Sequence, residues 1–310
     1  MAYALHRRAA FRQGVSATGW NFDLTKSEYV NSAALLNSTS GSVYGNPISP
    51  RHLALNTDSS SIFAAHGAVI SRYDFPFGHY GDIYHLQNAY ASTYKTYVAG
   101  SGSRAFSFSQ DGLHFVRHGA YNDSKLYSCS LNSAFDISSI KNDTDMAILD
   151  EFTSNSVATA FSLDGEYIIL LFSNVIRSYY LQSQFDVSSA SLVFTQISLS
   201  RFYASCGIPW IALASGNMNH FVDWQFSPDG FTLVGLWVYS GSSDQASYGG
   251  QYSVFFVFKL SVPFNISTIS LDHVWDFFGD KNVTGFTIDR EGQNLYVARP
   301  STVLQYALSA

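Results

Sequence analysis

Five acidic residues of this chain recur in one setting. They are Asp58, Asp111, Asp164, Asp229 and Glu291, within Leu55-Asn56-Thr57-Asp58-Ser59, Phe108-Ser109-Gln110-Asp111-Gly112, Phe161-Ser162-Leu163-Asp164-Gly165, Phe226-Ser227-Pro228-Asp229-Gly230 and Ile288-Asp289-Arg290-Glu291-Gly292. Acids repeated around an axis suggest two chemistries: calcium ligation, or glycoside hydrolysis by two carboxyls about 5–10 Å apart. The repetition argues against both, because a catalytic residue is needed once and a turn residue in every copy. Asp-Gly between apolar, β-prone runs is a tight-turn signal. Outside the set, Asp223 interrupts the apolar run Phe221 to Phe226, and Arg104 holds a similar place earlier in the chain. These two are candidates for axial carboxylate chemistry or for an ion pair lining a channel. The nine histidines are scattered. His114 and His118 share one side of an expected strand, but no nearby carboxylate or thiol completes a metal set. With no nucleophile elbow, P-loop or dinucleotide fingerprint, neither metal nor cofactor is expected.

The elements that carry these residues are themselves repeated. The turn acids lie 53, 53, 65 and 62 residues apart, longer than solenoid repeats and compatible with propeller blades of about 40–50 residues plus loops. A second element follows three of the turns: Leu131 to Ser139, Leu181 to Ser189 and Leu260 to Thr268, each containing Phe-Asp/Asn-Ile/Val-Ser. A unit therefore reads strand, Asp-Gly turn, strand, loop, strand, link, strand, which is a four-stranded blade. The chain stops at Tyr306-Ala307-Leu308-Ser309-Ala310, the first half of a link, and Phe22-Asp23-Leu24-Thr25-Lys26 supplies the other half, with a strand expected at Val30 to Leu36. The expected fold is all-β: a five-bladed β-propeller over residues 19–310, closed by pairing of N- and C-terminal strands, with six blades if residues before Gly19 add strands.

Composition narrows the partners. Apolar residues make up 46% and charged residues 13% of the chain, which suits twisted sheets with small polar loops. A net charge of −6 argues against nucleic acid. No stretch reaches the ~20 apolar residues of a membrane span, and Met1 to Leu5 runs straight into His6-Arg7-Arg8 without the apolar core of a secretion signal. Residues 1–18 carry Arg7, Arg8 and Arg12 around Phe11 and no acid, a basic arm suited to docking. The long connections around blade four hold Trp210, Tyr239 and Tyr248, candidates for stacking on a sugar or a partner.

The two repeated elements together resemble a degenerate propeller repeat of bacteriophage tail fibres and other virion proteins. It couples Phe-Ser-Pro-Asp-Gly, seen at Phe226 to Gly230, to Leu-Ser-x-Ala-Phe-Asp-Ile-Ser, seen at Leu131 to Ser139, Leu181 to Ser189 and Leu260 to Thr268. The resemblance implies a structural, non-enzymatic virion component of tail, spike or appendage type, assembled in the host cytoplasm. Its partners would be other virion proteins and a host-surface receptor or glycan. The alternatives are a glycoside hydrolase with acids at the axis and a cellular scaffold propeller that binds proteins.

Overall fold

The computed structural model describes residues 20, 23–33, 36–37, 46–47, 52–66, 69–86, 95–98, 106–118, 125–140, 145–148, 156–172, 175–199, 202, 219–240, 251–276, 283–300 and 302–309. The chain enters on β1 (Asp23–Ala33) and a two-stranded ribbon, β2 (Leu36–Asn37) with β3 (Asn46–Pro47). Blade one is β4 (His52–Leu55), β5 (Ser61–His66), β6 (Val69–Asp74) and β7 (Lys95–Val98). Blade two is β8 (Phe106–Phe108), β9 (His114–His118), β10 (Lys125–Ser130) and β11 (Asp145–Ile148). Blade three is β12 (Ser156–Phe161), β13 (Tyr167–Phe172), β14 (Val175–Leu181) and β15 (Ala190–Ser198). Blade four is β16 (Asn219–Phe226), β17 (Thr232–Ser240), β18 (Gln251–Leu260) and β19 (Ile269–Asp276). Blade five is β20 (Gly285–Ile288), β21 (Asn294–Arg299) and β22 (Thr302–Ser309), with β1 antiparallel to β22 as its fourth strand. The expected closure is therefore present, and the described residues make five blades. One detail differs. Asp23, Leu24 and Thr25, expected as a link, already belong to β1, and the register with β22 shifts between Asp23 and Glu28.

Each interface between neighbouring blades holds one buried apolar cluster. Ile62 and Tyr73 of blade one meet Tyr296 and Val303 of blade five. Phe63 and Ile70 of blade one meet Phe106 and Phe115 of blade two. Val116 and Leu126 of blade two meet Ile168 and Leu170 of blade three. Ile169 and Leu171 of blade three meet Trp224 and Phe256 of blade four. Val234 and Phe255 of blade four meet Phe286 and Leu295 of blade five. Within β13, alternate residues thus face opposite neighbours. Strands buried on both faces cannot alternate with polar residues, and hence read as unbroken apolar runs such as Tyr-Ile-Ile-Leu-Leu-Phe.

The two repeated sequence elements form one unit. In each of the three regular turns the serine backbone accepts from the glycine N–H: Ser109 from Gly112, Ser162 from Gly165 and Ser227 from Gly230, at 2.9, 3.0 and 2.9 Å. Asp111, Asp164 and Asp229 accept both from that serine hydroxyl, at 2.5–2.6 Å, and from an amide beyond the glycine, at 2.9–3.1 Å. The recurrent acids are turn acceptors. In blade five the role shifts: Asp289, not the expected Glu291, accepts the Gln293 amide at 2.7 Å.

The link then folds over the turn. Phe135, Phe185 and Phe264 have φ of 57°, 62° and 55°, a region that costs a bulky L-residue about 1–2 kcal/mol. Their amides donate to the carbonyls of Gly112, Gly165 and Gly230 at 2.8, 2.9 and 3.0 Å. Their rings cover the same glycines so closely that a Cβ there would overlap the ring. Asp136, Asp186 and Asn265 then cap a single 3₁₀ turn. Glycine is thus required twice, for its positive φ and for its missing side chain. Neighbouring blades use the same phenylalanines: Arg72 of blade one donates to the Phe135 carbonyl at 3.2 Å, and His114 of blade two stacks on Phe185 at 4.2 Å and 6°.

Gly230→Ala, which adds a Cβ beneath Phe264 at a φ of 75°, is expected to lower unfolding free energy by about 3 kcal/mol, read from urea melts. Burial holds the His114 imidazole below its ordinary value, opposed by Asp111. A depressed imidazole contributes stability above its unfolded value of about 6.5, and loses it as pH falls through the lower folded value. The melting-temperature advantage of wild type over His114→Gln is therefore expected to shrink between pH 8 and pH 5. A constant difference would show that the stack does not depend on protonation.

Candidate functional site

Pairing within each blade stops at the innermost strands β4, β8, β12, β16 and β20, whose free edges face the axis. Unpaired backbone groups there need other partners. Gln225 supplies two: its amide nitrogen donates to the Ile288 carbonyl at 2.9 Å and its oxygen accepts the Ile288 amide at 2.7 Å. Asp223 supplies another. It is fully buried, accepts the Trp224 amide of its own strand at 2.8 Å, and accepts the Phe286 amide of blade five at 2.9 Å. Its remaining partner crosses the axis: His52 Nδ1 of blade one donates to Asp223 Oδ1 at 2.7 Å. The His52 ring stands edge-on to Phe106 of blade two, 4.8 Å between centres. One carboxylate thereby ties blades one, four and five together, with blade two packed behind. Burial pushes the Asp223 carboxyl upward, and His52 and the two amides oppose that shift.

Above this pair lies a funnel of about 200 Å³. It opens on the face that carries the Asp-Gly turns. The variable residue of every turn lines its rim: Thr57, Gln110, Leu163, Pro228 and Arg290. Phe108, Phe161 and Phe226 form its walls, and His52, Thr159 and Trp224 line it deeper along the inner strands. No carboxylate lines the funnel among the described residues. Trp20 closes one side. Its indole N–H donates to the Asp289 carbonyl at 3.1 Å, and its own carbonyl accepts from Lys259 at 3.4 Å.

Of the sequence-derived candidates for the axis, for stacking and for docking, only Asp223 and Tyr239 are among the described residues. Asp223 does sit at the axis, but its partner is His52; Arg104 lies outside the described residues. Trp210, Tyr248 and the arm residues Arg7, Arg8, Phe11 and Arg12 also lie outside them. The Tyr239 backbone pairs with Asn219 and Tyr252 near the end of β17 remote from the turn, so this residue is not brought to the funnel. Sequence reasoning missed His52, although a signal existed: His52 and Asp223 each stand three residues before the turn's leading apolar residue, Leu55 and Phe226.

Fold and site together define a five-bladed β-propeller with a buried His52–Asp223 pair at its axis and a funnel on its turn face. No family model and no curated protein matches the chain. A solved structure described as a functionally unknown protein from Desulfotomaculum acetoxidans DSM 771 aligns with 86% of this chain and 69% of its own length, at 13% identity and a TM-score of 0.42. A likeness of that degree says nothing of this chain's activity.

Asp223→Ala leaves His52 and two amides without their acceptor in a dry site. It is expected to cost about 3–5 kcal/mol in chemical denaturation, and Asp223→Asn, which keeps one oxygen acceptor, distinctly less.

Proposed function

We propose that this chain is a non-enzymatic, structural and binding propeller of a bacteriophage particle, a tail, spike or appendage component that makes its contact through the turn face. The particle assignment rests on the resemblance of the repeat. The observation that carries the contact is an aromatic loop in blade one, whose link departs from the repeat. Phe77, Tyr80 and Tyr84 are 91%, 48% and 53% exposed. The loop that bears them is tied down at both ends. Phe75 is buried and its amide donates to the Ser60 carbonyl at 2.9 Å; Ile83 is buried and its amide donates to Gln305 at 3.0 Å. Between these anchors the Tyr296 hydroxyl holds the Gly81 carbonyl. Exposed aromatics on an anchored loop lose little freedom on binding, and aromatic residues dominate interface energetics. A hydrolytic role would need two facing carboxyls. The described funnel lining offers none, and Asp223 is already engaged by three donors, which favours the binding reading.

The test is co-sedimentation with purified viral particles from the source of the protein, comparing the wild-type chain with Phe77→Ser/Tyr80→Ser. Wild type is expected to travel with particles and the double variant to fall at least about tenfold, the loss of one aromatic anchor. Absence of wild type from particles overturns the particle assignment. Equal retention of both proteins overturns the role of the loop.

A further inference from the structure

We infer that the funnel receives the Phe77 ring of a second copy of this chain, so that two molecules pair turn face to turn face and each fills the other's funnel. The inference rests on the binding reading above and names its partner, another copy of the same turn face. Both halves of the contact, a projecting ring and a hole of matching size, stand on one face of one chain.

The projecting half is built by two consecutive turns. In Pro76-Phe77-Gly78-His79 the His79 amide donates to the Pro76 carbonyl at 3.0 Å, and in His79-Tyr80-Gly81-Asp82 the Asp82 amide donates to the His79 carbonyl at 3.1 Å. Gly78 and Gly81 hold the third place of each turn, with φ of 82° and 74°, the conformation that a type II turn asks of glycine. The second place of each turn is its tip, and it carries Phe77 in one and Tyr80 in the other. The two rings meet edge to face, 6.2 Å between centres. At 91% exposure, Phe77 fills no pocket of its own chain. A large apolar ring held this way is a preformed knob, and such exposure marks an interface.

The receiving half matches in size, lining and charge. An apolar cavity of about 150 Å³ is enough to bind benzene, and the funnel offers about 200 Å³. Phe108, Phe161 and Phe226 wall it, and aromatic rings favour the edge-to-face and offset contacts that a further ring would make among them. Arg290 on the rim is the one Lys or Arg among the described lining residues, with no acid beside it. The segment Phe75 to Leu86 that bears the knob carries Asp82 and neither Lys nor Arg. An acidic loop thus faces a basic rim, which favours this pairing over one of like charges.

Topology places the two halves side by side. β5 begins at Ser61, directly after the blade-one turn, and runs away from the turn face; β6 is antiparallel to it and returns, ending at Asp74 opposite Ser61. The loop therefore leaves the sheet beside the turns, where the bond from the Phe75 amide to the Ser60 carbonyl holds it. It starts two strands out from β4, roughly 10 Å at the usual strand spacing, so knob and funnel are offset sideways. A two-fold axis between two facing turn faces, with the propeller axes displaced by that offset, sets each knob over the other's funnel. Such an isologous contact uses one patch twice and closes at two copies.

The test is sedimentation-velocity ultracentrifugation of the purified full chain over a series of concentrations, without particles. Wild type is expected to pass from monomer to dimer. Phe77→Ser, a change at an exposed tip, removes both knobs of a dimer and should weaken association at least about a hundredfold, about tenfold per aromatic anchor, at unchanged melting temperature. Leu163→Trp narrows the funnel at its half-buried rim and should weaken association to the same degree. The two variants are then mixed in equal amounts. The intact knob of one meets the intact funnel of the other, so a heterodimer should form about tenfold more weakly than the wild-type dimer, although neither variant pairs alone. The inference is overturned if wild type stays monomeric, if Phe77→Ser dimerises like wild type, or if the mixture stays as dissociated as each variant alone. Should Leu163→Trp melt below wild type, Arg290→Glu, which sets an acid against the acidic loop, takes its place in the mixture. A monomer that travels with particles defeats this inference only, and a dimer absent from particles defeats only the particle assignment.

Discussion

The contact on which the ring depends is a phenylalanine ring lying on a bare Cα. At Gly112, Gly165 and Gly230 the absence of a side chain lets Phe135, Phe185 and Phe264 come down on the backbone. Each phenylalanine accepts a left-handed conformation to do so. The strain is offset by an amide–carbonyl hydrogen bond, by burial of an aromatic face and by the capped 3₁₀ turn that follows. The contact joins the hairpin of the first two strands to the connection between the last two, fixing all four strands of a blade at one end. Because Arg72 and His114 of preceding blades reach the same phenylalanines, the lock also sets the spacing between blades.

That arrangement explains how a chain with few charges sustains both a large buried core and a site. Blade packing is apolar and occurs at every interface in the same way. One polar group lies at the axis, where inner strands have no neighbour to pair with. Asp223, His52 and Gln225 are there because backbone amides and carbonyls of different blades need partners in a dry place. Beyond this polar floor, the turn scaffold is held by its repeated residues, leaving one side chain per turn free to vary. Thr57, Gln110, Leu163, Pro228 and Arg290 are those side chains, and together they ring the funnel.

Much of the fold was legible because its devices repeat. The Asp-Gly turns, the Phe-Asp-Ile-Ser links and the half-links near the two ends pointed to five blades and a shared closing blade. Glu291 misled, since alignment by charge overlooked that Asp289, two residues earlier at the place of the usual serine, had taken over the acceptor role. The site was harder to read. Trp210, Tyr239 and Tyr248 were marked by their place in long connections, two of them outside the described residues, whereas a position around the axis is announced by no local pattern. His52 and Asp223 stand 171 residues apart, in blades that are not neighbours. Only superposing the repeats brings their equivalent places into view. The exposed loop of blade one stands where the second repeated element is missing, and its projection follows from anchors at Phe75 and Ile83 that only the folded ring supplies.

The pairing of β1 with β22 also has a temporal meaning. The strand that completes blade five leaves the ribosome before every other strand of the ring, and its partner emerges after all the others. Until then, β1 has no ladder to join and its edge must stay out of wrong pairings. The last step of folding is thus a long-range capture, with the loop-closure entropy already met by the four intervening blades. Chains that do not yet carry β22 therefore leave blade five with an unclosed sheet edge, open to whatever chaperone or neighbour is at hand.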